Sequence, residues 1–187
     1  GLVNMRDLFQ EQLNELNREL TIMGSSCEEI IALASQALTD WDEELVQKVN
    51  TIGAQIDESE RTIETICMKL LLRQQPVARD LRQISAAMKM ITDMERIGDQ
   101  AEDIVEIVPY MNAHPDEKYP KIREMAKAAQ AMVTEAVDAY VKQDLALARK
   151  VMSHDDVVDD YFTQVKNGII DIIAAAPSQG EYALDLL

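Results

Sequence analysis

The chain has 187 residues, of which 47% are hydrophobic, 28% charged and only 4% aromatic. This balance is typical of a globular protein with a real core, and the scarcity of aromatic residues beside abundant Met, Leu, Ile and Ala favours helices over a β-sandwich. Its 34 acidic and 18 basic residues give a formal net charge of −16, and no basic stripe is present, which argues against nucleic-acid binding.

The acidic surplus suits solubility, cation binding or a basic partner patch. No run of 18 apolar residues is present, so we expect no membrane span. Cys27 and Cys67 lie far apart within apolar helical patterns, which predicts two buried free thiols and fits a reducing cytoplasm. Met5 is a plausible first residue of the natural protein, so we expect residues 1–4 to be an expression remnant.

The first predicted helix carries a heptad pattern of apolar residues spaced alternately by four and three positions. This spacing predicts a helix about 45 Å long that packs like a coiled coil. The predicted buried residues are Phe9, Leu13, Leu16, Leu20, Met23, Cys27, Ile30, Ala34 and Ala37. The acidic run that begins at Asp40 ends the pattern, and Asp42 is a good N-cap for the next helix.

The second and third helices are separated by Pro76. The second has an apolar face of Leu45, Val49, Ile52, Ile56, Ile63, Ile66 and Leu70, interrupted by Ser59. The third begins near Ala78, and its predicted inner face contains Ile84, Met88, Ile91, Met94, Ala101, Ile104 and Val108. Two prolines and several polar residues follow, which indicates a linker over residues 112–119.

The second half of the chain is predicted to start with a fourth helix from Pro120 to Tyr140. A fifth helix is expected from Asp144 to about Ala175, with a core face of Leu147, Val151, Val158, Tyr161, Val165 and Ile172. Pro177 and Gly180 end it, and a sixth helix would begin near Tyr182.

The two halves match each other at an offset of 102 residues. The matched pairs are Asp42 with Asp144, Leu45 with Leu147, Val49 with Val151, Ile56 with Val158, Asp57 with Asp159, and Ile63 with Val165. The sequence therefore predicts an all-α tandem repeat of two antiparallel three-helix bundles, or one six-helix body with pseudo-twofold symmetry. The first repeat would span residues 5–111 and the second 120–187, with its third helix mostly missing.

Acidic residues recur one helical turn apart on the third and fifth helices. Glu95 and Asp99 form one such pair, and Asp155 and Asp159 form another. Such pairs destabilise a helix by only about 0.2–0.5 kcal/mol, so most are merely solvated. However, Glu95 and Asp99 lie beside the core face, Gly98 between them suggests close packing, and Asp57 on the second helix could face them.

Carboxylates converging from two helices need a cation or protons, because two unit charges 5 Å apart repel by about 3 kcal/mol at an effective dielectric of 20. Their oxygen ligands favour a hard cation over structural zinc. The Glu-x-x-His motif of carboxylate-bridged di-iron bundles is absent, and so are a nucleophile–base pair and a phosphate-binding Gly loop. The absence of these motifs weakens the hypothesis of a carboxylate-bridged metal enzyme, while the heptad pattern alone would also allow a generic coiled-coil adaptor.

Two runs carry a resemblance to a known family. Residues 70–82 (LLLRQQPVARDLR) and 94–99 (MERIGD), together with the internal repeat, resemble the PhoU family of accessory and regulatory proteins of bacterial phosphate-specific transport. The resemblance covers residues 5–187. It implies a tandem three-helix-bundle fold and a cytoplasmic, non-enzymatic negative regulator of phosphate uptake and the phosphate-starvation response. Its implied partners are the ATPase subunit of the phosphate ABC transporter and a PhoR-type sensor kinase.

The resemblance also implies multinuclear iron or zinc clusters, one for each bundle, held by paired E(D)xxxD motifs. By position, Glu95 and Asp99 match the motif on the third helix, and Asp155 and Asp159 match it on the fifth. The motif on the second helix would span positions 53 and 57, but position 53 is Gly, which leaves only Asp57. The long apolar-edged helices also make a homodimer plausible.

Overall fold

The computed structural model describes residues 2–73, 76–110, 119–153 and 156–175, and every regular element in these ranges is helical. The α-helices of these ranges are α1 (Leu2–Asp40), α2 (Glu43–Arg73), α3 (Ala78–Ile107), α4 (Tyr119–Val141), α5 (Leu145–Ser153) and α6 (Asp156–Ala175). A short 3-10 turn (Val108–Tyr110) follows α3. The predicted all-α fold class is confirmed.

The first three helices pack against one another, and the second half is built onto them. Helix α4 packs against α1, α5 and α6, while α5 and α6 also contact α3. Apolar side chains from all six helices form one continuous core. In the described residues, α1, α2 and α3 thus form one three-helix group, and α4, α5 and α6 form a second group that shares its core with the first. The proposed linker and the expected sixth helix fall mostly outside these residues, so the domain boundaries stay a prediction.

Helix α1 carries the predicted heptad seam. All nine predicted seam residues, from Phe9 to Ala37, are buried, and so is the Cys27 thiol. Ile31 and Leu38 are buried as well, since α1 contacts α4 in addition to α2 and α3. The helix is thus the central element that joins the two halves.

The crossing of α1 and α4 shows the symmetry of the repeat. The Gln130 side-chain amide donates a hydrogen bond of 2.8 Å to the carbonyl of Glu28, and these two residues are 102 positions apart. Contact between equivalent residues occurs where a twofold axis passes between them. Gly24 lies near this crossing, and a Cβ atom there would come within 2.8 Å of the Val137 Cγ2. Glycine therefore permits the close approach of the two helices.

The two halves also begin their second helices in the same way. The Asp42 carboxylate accepts a hydrogen bond of 2.7 Å from the backbone N–H of Leu45. At the equivalent place, Asp144 accepts one of 3.2 Å from the N–H of Leu147. Before Asp144, Gln143 adopts a left-handed φ of 65°, which closes the end of α4. The predicted N-cap role of Asp42 is confirmed.

Two residues predicted for the core are exposed. Leu147 and Met88 each have 37% of their surface exposed, so their predicted burial was wrong. In α5 the buried positions are Ala148 and Met152, one residue later than predicted, because α5 packs against both α3 and α4 and turns a different face inward. In α3, Ala87 is buried instead of Met88.

Helix α6 returns to the predicted pattern, since Val158, Tyr161 and Val165 are all buried. The fifth helix was predicted as one element from 144 to about 175, and the structure gives α5 and α6 within that range. Residues 154 and 155 between them lie outside the described residues, as do the expected sixth helix and the side chain of Ile172.

Candidate metal centre

Three of the predicted acidic residues converge on one face of the first repeat. Asp57 comes from α2, and Glu95 and Asp99 come from α3. Each offers a carboxylate oxygen, and the three oxygens lie within 4.8 Å of one another. The structure thus brings together residues that are about 40 positions apart in the sequence, and their role as metal ligands stays a prediction.

Close packing of α2 against α3 creates this arrangement. Gly98 is buried, and a Cβ atom there would lie 3.3 Å from Cδ1 of Ile56. Ile56 immediately precedes Asp57, and Gly98 immediately precedes Asp99. The contact between Ile56 and Gly98 therefore fixes the separation of the two carboxylates, as the sequence predicted for Gly98.

The Glu95 carboxyl has the most perturbed acidity of the group. Burial is the largest cause, followed by a hydrogen bond with Asp57 and by the charges of Asp57, Asp99 and Glu60, and together they raise its pKa to about 8. The pKa of Asp99 is also raised, first by burial and then by the charges of Asp57 and Asp103. In the absence of a cation, the raised pKa of Glu95 favours its neutral form, which relieves part of the repulsion within the group.

Two further acids surround the three. Glu60 lies one turn after Asp57 on α2, and Glu102 lies one turn after Asp99 on α3; both are half-buried. Burial raises the pKa of each carboxyl, and the charges of Asp57 and Asp99 add to the shift. Neither residue was predicted as part of the site. The sequence could have indicated both, because Glu60 lies three residues after Asp57 and Glu102 three residues after Asp99, on two helices that run antiparallel.

Gly53 occupies the position where the α2 motif lacks an acid. It is buried, and a Cβ atom there would collide with the Glu102 carboxylate, lying 2.7 Å from its Cδ. The space that a side chain at position 53 would need is therefore already filled from α3.

The donor set fits a metal ion. All donors are carboxylate oxygens, which hard cations prefer. Glu95 Oε2 is buried and has no hydrogen-bond partner in the part of the chain that the structure describes. The ion pairs found between described residues do not involve Asp57, Glu95 or Asp99. A cation held by these three residues would offset their mutual repulsion and satisfy the orphaned oxygen.

The predicted second site has a different environment. Asp155 lies outside the described residues. Asp159 is on α6 with 41% of its side chain exposed, and its Oδ2 is 3.9 Å from a guanidinium nitrogen of Arg96 on α3. Within the described ranges, Asp159 does not join a group of three acids. Its role as a ligand stays a prediction.

No helix within the described residues is long and apolar enough to cross a membrane.

Comparison with known proteins identifies the fold and the family. A profile of the PhoU domain matches residues 20–108 and again 122–187. The phosphate-specific transport system accessory protein PhoU homolog of Clostridium acetobutylicum is 34% identical over 93% of this chain and 80% of that protein. The corresponding homolog of Aquifex aeolicus is 33% identical over 96% of this chain and 81% of its own length.

Two crystal structures have the same fold. PhoU from Pseudomonas aeruginosa aligns with a TM-score of 0.74 at 31% identity, over 95% of this chain and 86% of that one. The phosphate transport system regulatory protein PhoU from Streptococcus pneumoniae aligns with a TM-score of 0.62 over 90% and 98% of the two chains, and at 19% identity it supports the fold alone. The chain belongs to the PhoU family.

Proposed function

We propose that this chain is an accessory protein of a phosphate-specific transport system and a negative regulator of phosphate uptake and of the phosphate-starvation response. It acts in the cytoplasm, without catalysis, by contacting the ATPase subunit of the transporter and a sensor kinase. The observation that carries the proposal is the double match to the PhoU domain, placed on a twofold-related helical body. The relatives' names supply the connection to phosphate transport.

The regulatory role is tested by deleting the gene in its host. We expect the deletion strain to express phosphate-starvation genes in phosphate-rich medium, measured through a reporter, and to take up labelled phosphate without restraint. A copy of the gene restored in trans is the control. Unaltered reporter activity and uptake in the deletion strain would overturn the proposal.

We propose that the end of the α2–α3 hairpin contributes to partner contact. Leu72 and Val77 have 77% and 57% of their surfaces exposed, and Leu71 and Leu81 are also exposed. A concentration of exposed apolar side chains is typical of an interaction surface. We expect Leu72→Glu to weaken co-purification of the transporter ATPase. Ile22→Glu changes an exposed apolar residue of α1 and is the matched control; an equal loss in both variants would contradict this placement.

Self-association is part of the same proposal, since exposed apolar edges would also support a homodimer. Light scattering after size exclusion measures the mass in solution. A mass that stays at 21.0 kDa across a wide concentration range would contradict the dimer.

We also propose that Asp57, Glu95 and Asp99 hold an iron or zinc ion. The support is the convergence of three carboxylates and the unpartnered Glu95 Oε2. When bound, the metal supplies positive charge that joins α2 to α3. The three residues orient it from two helices, while Ile56 and Gly98 hold those helices together.

Elemental analysis tests this site. We expect the double variant Glu95→Gln/Asp99→Asn to contain less iron and zinc than the unmutated protein after purification without chelators. Glu11→Gln/Glu15→Gln removes two exposed acids with the same spacing on α1 and is the matched control. Equal metal content in all three proteins, or no metal in any, would contradict the proposal.

A further inference from the structure

The antiparallel course of α2 and α3 places Gly53 opposite Glu102. Gly53 lies one turn before Asp57 on α2, and Glu102 lies three residues after Asp99 on α3. Since the helices run in opposite directions, moving back along α2 and forward along α3 leads to the same level of the bundle. At this level the Glu102 carboxylate lies directly over the backbone of Gly53, in the space of a missing Cβ.

We propose that Glu102 supplies the carboxylate that position 53 lacks, so that a ligand of the metal centre has moved from α2 to α3. This inference rests on the proposed metal site of Asp57, Glu95 and Asp99. In the structure the Glu102 carboxylate lies against Gly53 and outside the group of three oxygens within 4.8 Å of one another. The proposal assigns Glu102 as a fourth ligand that joins this group when the metal binds, and Gly53 as the residue that makes room for it. The site is then completed by one residue from α2 and three from α3.

The neighbours of Glu102 show that its position is specific. Asp103, the next residue, directs its carboxylate to Lys166 on α6, with an Oδ2–Nζ distance of 3.4 Å. Glu106, one turn later on α3, is exposed. Glu102 alone of these three is half-buried and reaches back across the backbone of α2. A longer glutamate side chain can span this gap from α3, which explains how the ligand could change helices.

The exchange makes an unusual prediction for Gly53→Ala. This variant retains all four proposed ligands, but its added methyl group occupies the space of the Glu102 carboxylate. Alanine also favours a helix over glycine, so the metal-free variant should unfold at the same temperature or higher. We expect it to bind iron more weakly nonetheless. A general loss of structure would instead lower both the unfolding temperature and the affinity for iron.

The full test compares five proteins: the unmutated chain, Glu102→Ala, Gly53→Ala, the double variant Gly53→Glu/Glu102→Ala, and the control Glu106→Ala. Each is stripped with chelator, titrated anaerobically with Fe(II), and desalted, after which bound iron is measured by mass spectrometry. We expect Glu102→Ala to weaken iron binding by about tenfold or more, by analogy with losses seen on changing residues around metal sites. The double variant should recover most of this loss, and Glu106→Ala should match the unmutated chain.

The outcomes separate this inference from the proposed site. Full iron binding by Glu102→Ala would overturn the inference while leaving the three-residue site intact. A second outcome would overturn the idea that the ligand moved from α2 to α3. In this outcome Glu102→Ala loses iron binding, the double variant does not recover it, and Gly53→Ala binds iron normally. Absence of iron binding by the unmutated chain would overturn both. Thermal unfolding of the metal-free proteins verifies that each variant is folded.

Discussion

The two repeats share their construction but differ in their chemistry. Both begin their second helix with an aspartate cap, and their first helices cross through the equivalent residues Glu28 and Gln130. On the first repeat, acids from α2 and α3 converge without a basic partner among the described residues. On the second, Asp159 is paired with Arg96. The two halves thus share their helix caps and the crossing of their first helices, while the surroundings of their acidic residues differ.

The two halves also differ in which face of their second helix is buried. Helix α2 has its inward face at the predicted positions Leu45 and Val49, which are buried. The equivalent residue Leu147 of α5 is exposed, and Ala148 and Met152 are buried in its place. Position in a repeat therefore predicts where a helix begins more reliably than which face it turns to its neighbours.

The largest expected effect is on the packing beneath the carboxylates. Ile56 is fully buried beside Gly98, and we expect Ile56→Ala to lower the free energy of unfolding by about 2–5 kcal/mol. The equivalent change Val158→Ala removes one carbon fewer and should cost less. Urea denaturation measures both. A larger loss for Val158→Ala would show that the second half, rather than α2 and α3, is the better packed.

A second comparison concerns glycines in the two halves. Gly24→Leu would force a side chain into Val137 at the α1–α4 crossing, and we expect a loss of about 1–3 kcal/mol. A Cβ atom added to Gly168 on α6 would meet no atom within 4 Å, so Gly168→Ala should stabilise the protein by about 0.5–1 kcal/mol. Thermal unfolding reports both. Stabilisation by Gly24→Leu would show that the two repeats do not pack through this crossing.

The caps offer a finer comparison. Asp42→Ala and Asp144→Ala should each cost about 0.5–2 kcal/mol, because each removes the acceptor for a backbone N–H at a helix start. The shorter bond, 2.7 Å against 3.2 Å, predicts the larger loss for Asp42. Urea denaturation of both variants, with the corresponding Asn variants as controls that keep an acceptor, measures the difference. Equal losses would show that bond length does not distinguish the caps.

Much of the fold could be predicted from the sequence because its signals are local. The heptad of α1 needs only the spacing of apolar residues, and every predicted seam residue is buried. The faces of α3 and α5 were less predictable, since Met88 and Leu147 have apolar side chains at helical spacing and only the neighbouring helices decide that Ala87 and Ala148 face inward.

The residues of the candidate site were likewise predictable only in part. Glu95 and Asp99 were predicted from their spacing on one helix, and Asp57 from the family pattern and the repeat. Glu102 was missed because its partner, Gly53, belongs to another helix, and the pairing depends on the register between antiparallel elements. A gap in a motif on one helix indicates that the facing position on its neighbour should be searched for the missing side chain.

The effect most specific to the acids of the first repeat is the pH dependence of the metal-free protein. Glu95 has a folded-state pKa of about 8 against an ordinary value of 4.5, mainly because of burial and then because of Asp57, Asp99 and Glu60. The folded protein therefore binds a proton at Glu95 that the unfolded chain releases above pH 4.5. The stability linked to this proton is fully present below pH 4.5, declines as pH rises, and is lost above about pH 8.

Glu95→Gln keeps a neutral side chain at every pH and should abolish this decline. We expect the variant to gain stability over the unmutated protein progressively between about pH 5 and 8, measured by thermal unfolding with chelator present. Glu11→Gln, on the exposed face of α1, is the control and should follow the unmutated protein. Parallel curves for Glu95→Gln and the unmutated protein would show that the acids of the first repeat are as well solvated as those of the second, and the contrast between the halves would then be one of packing alone.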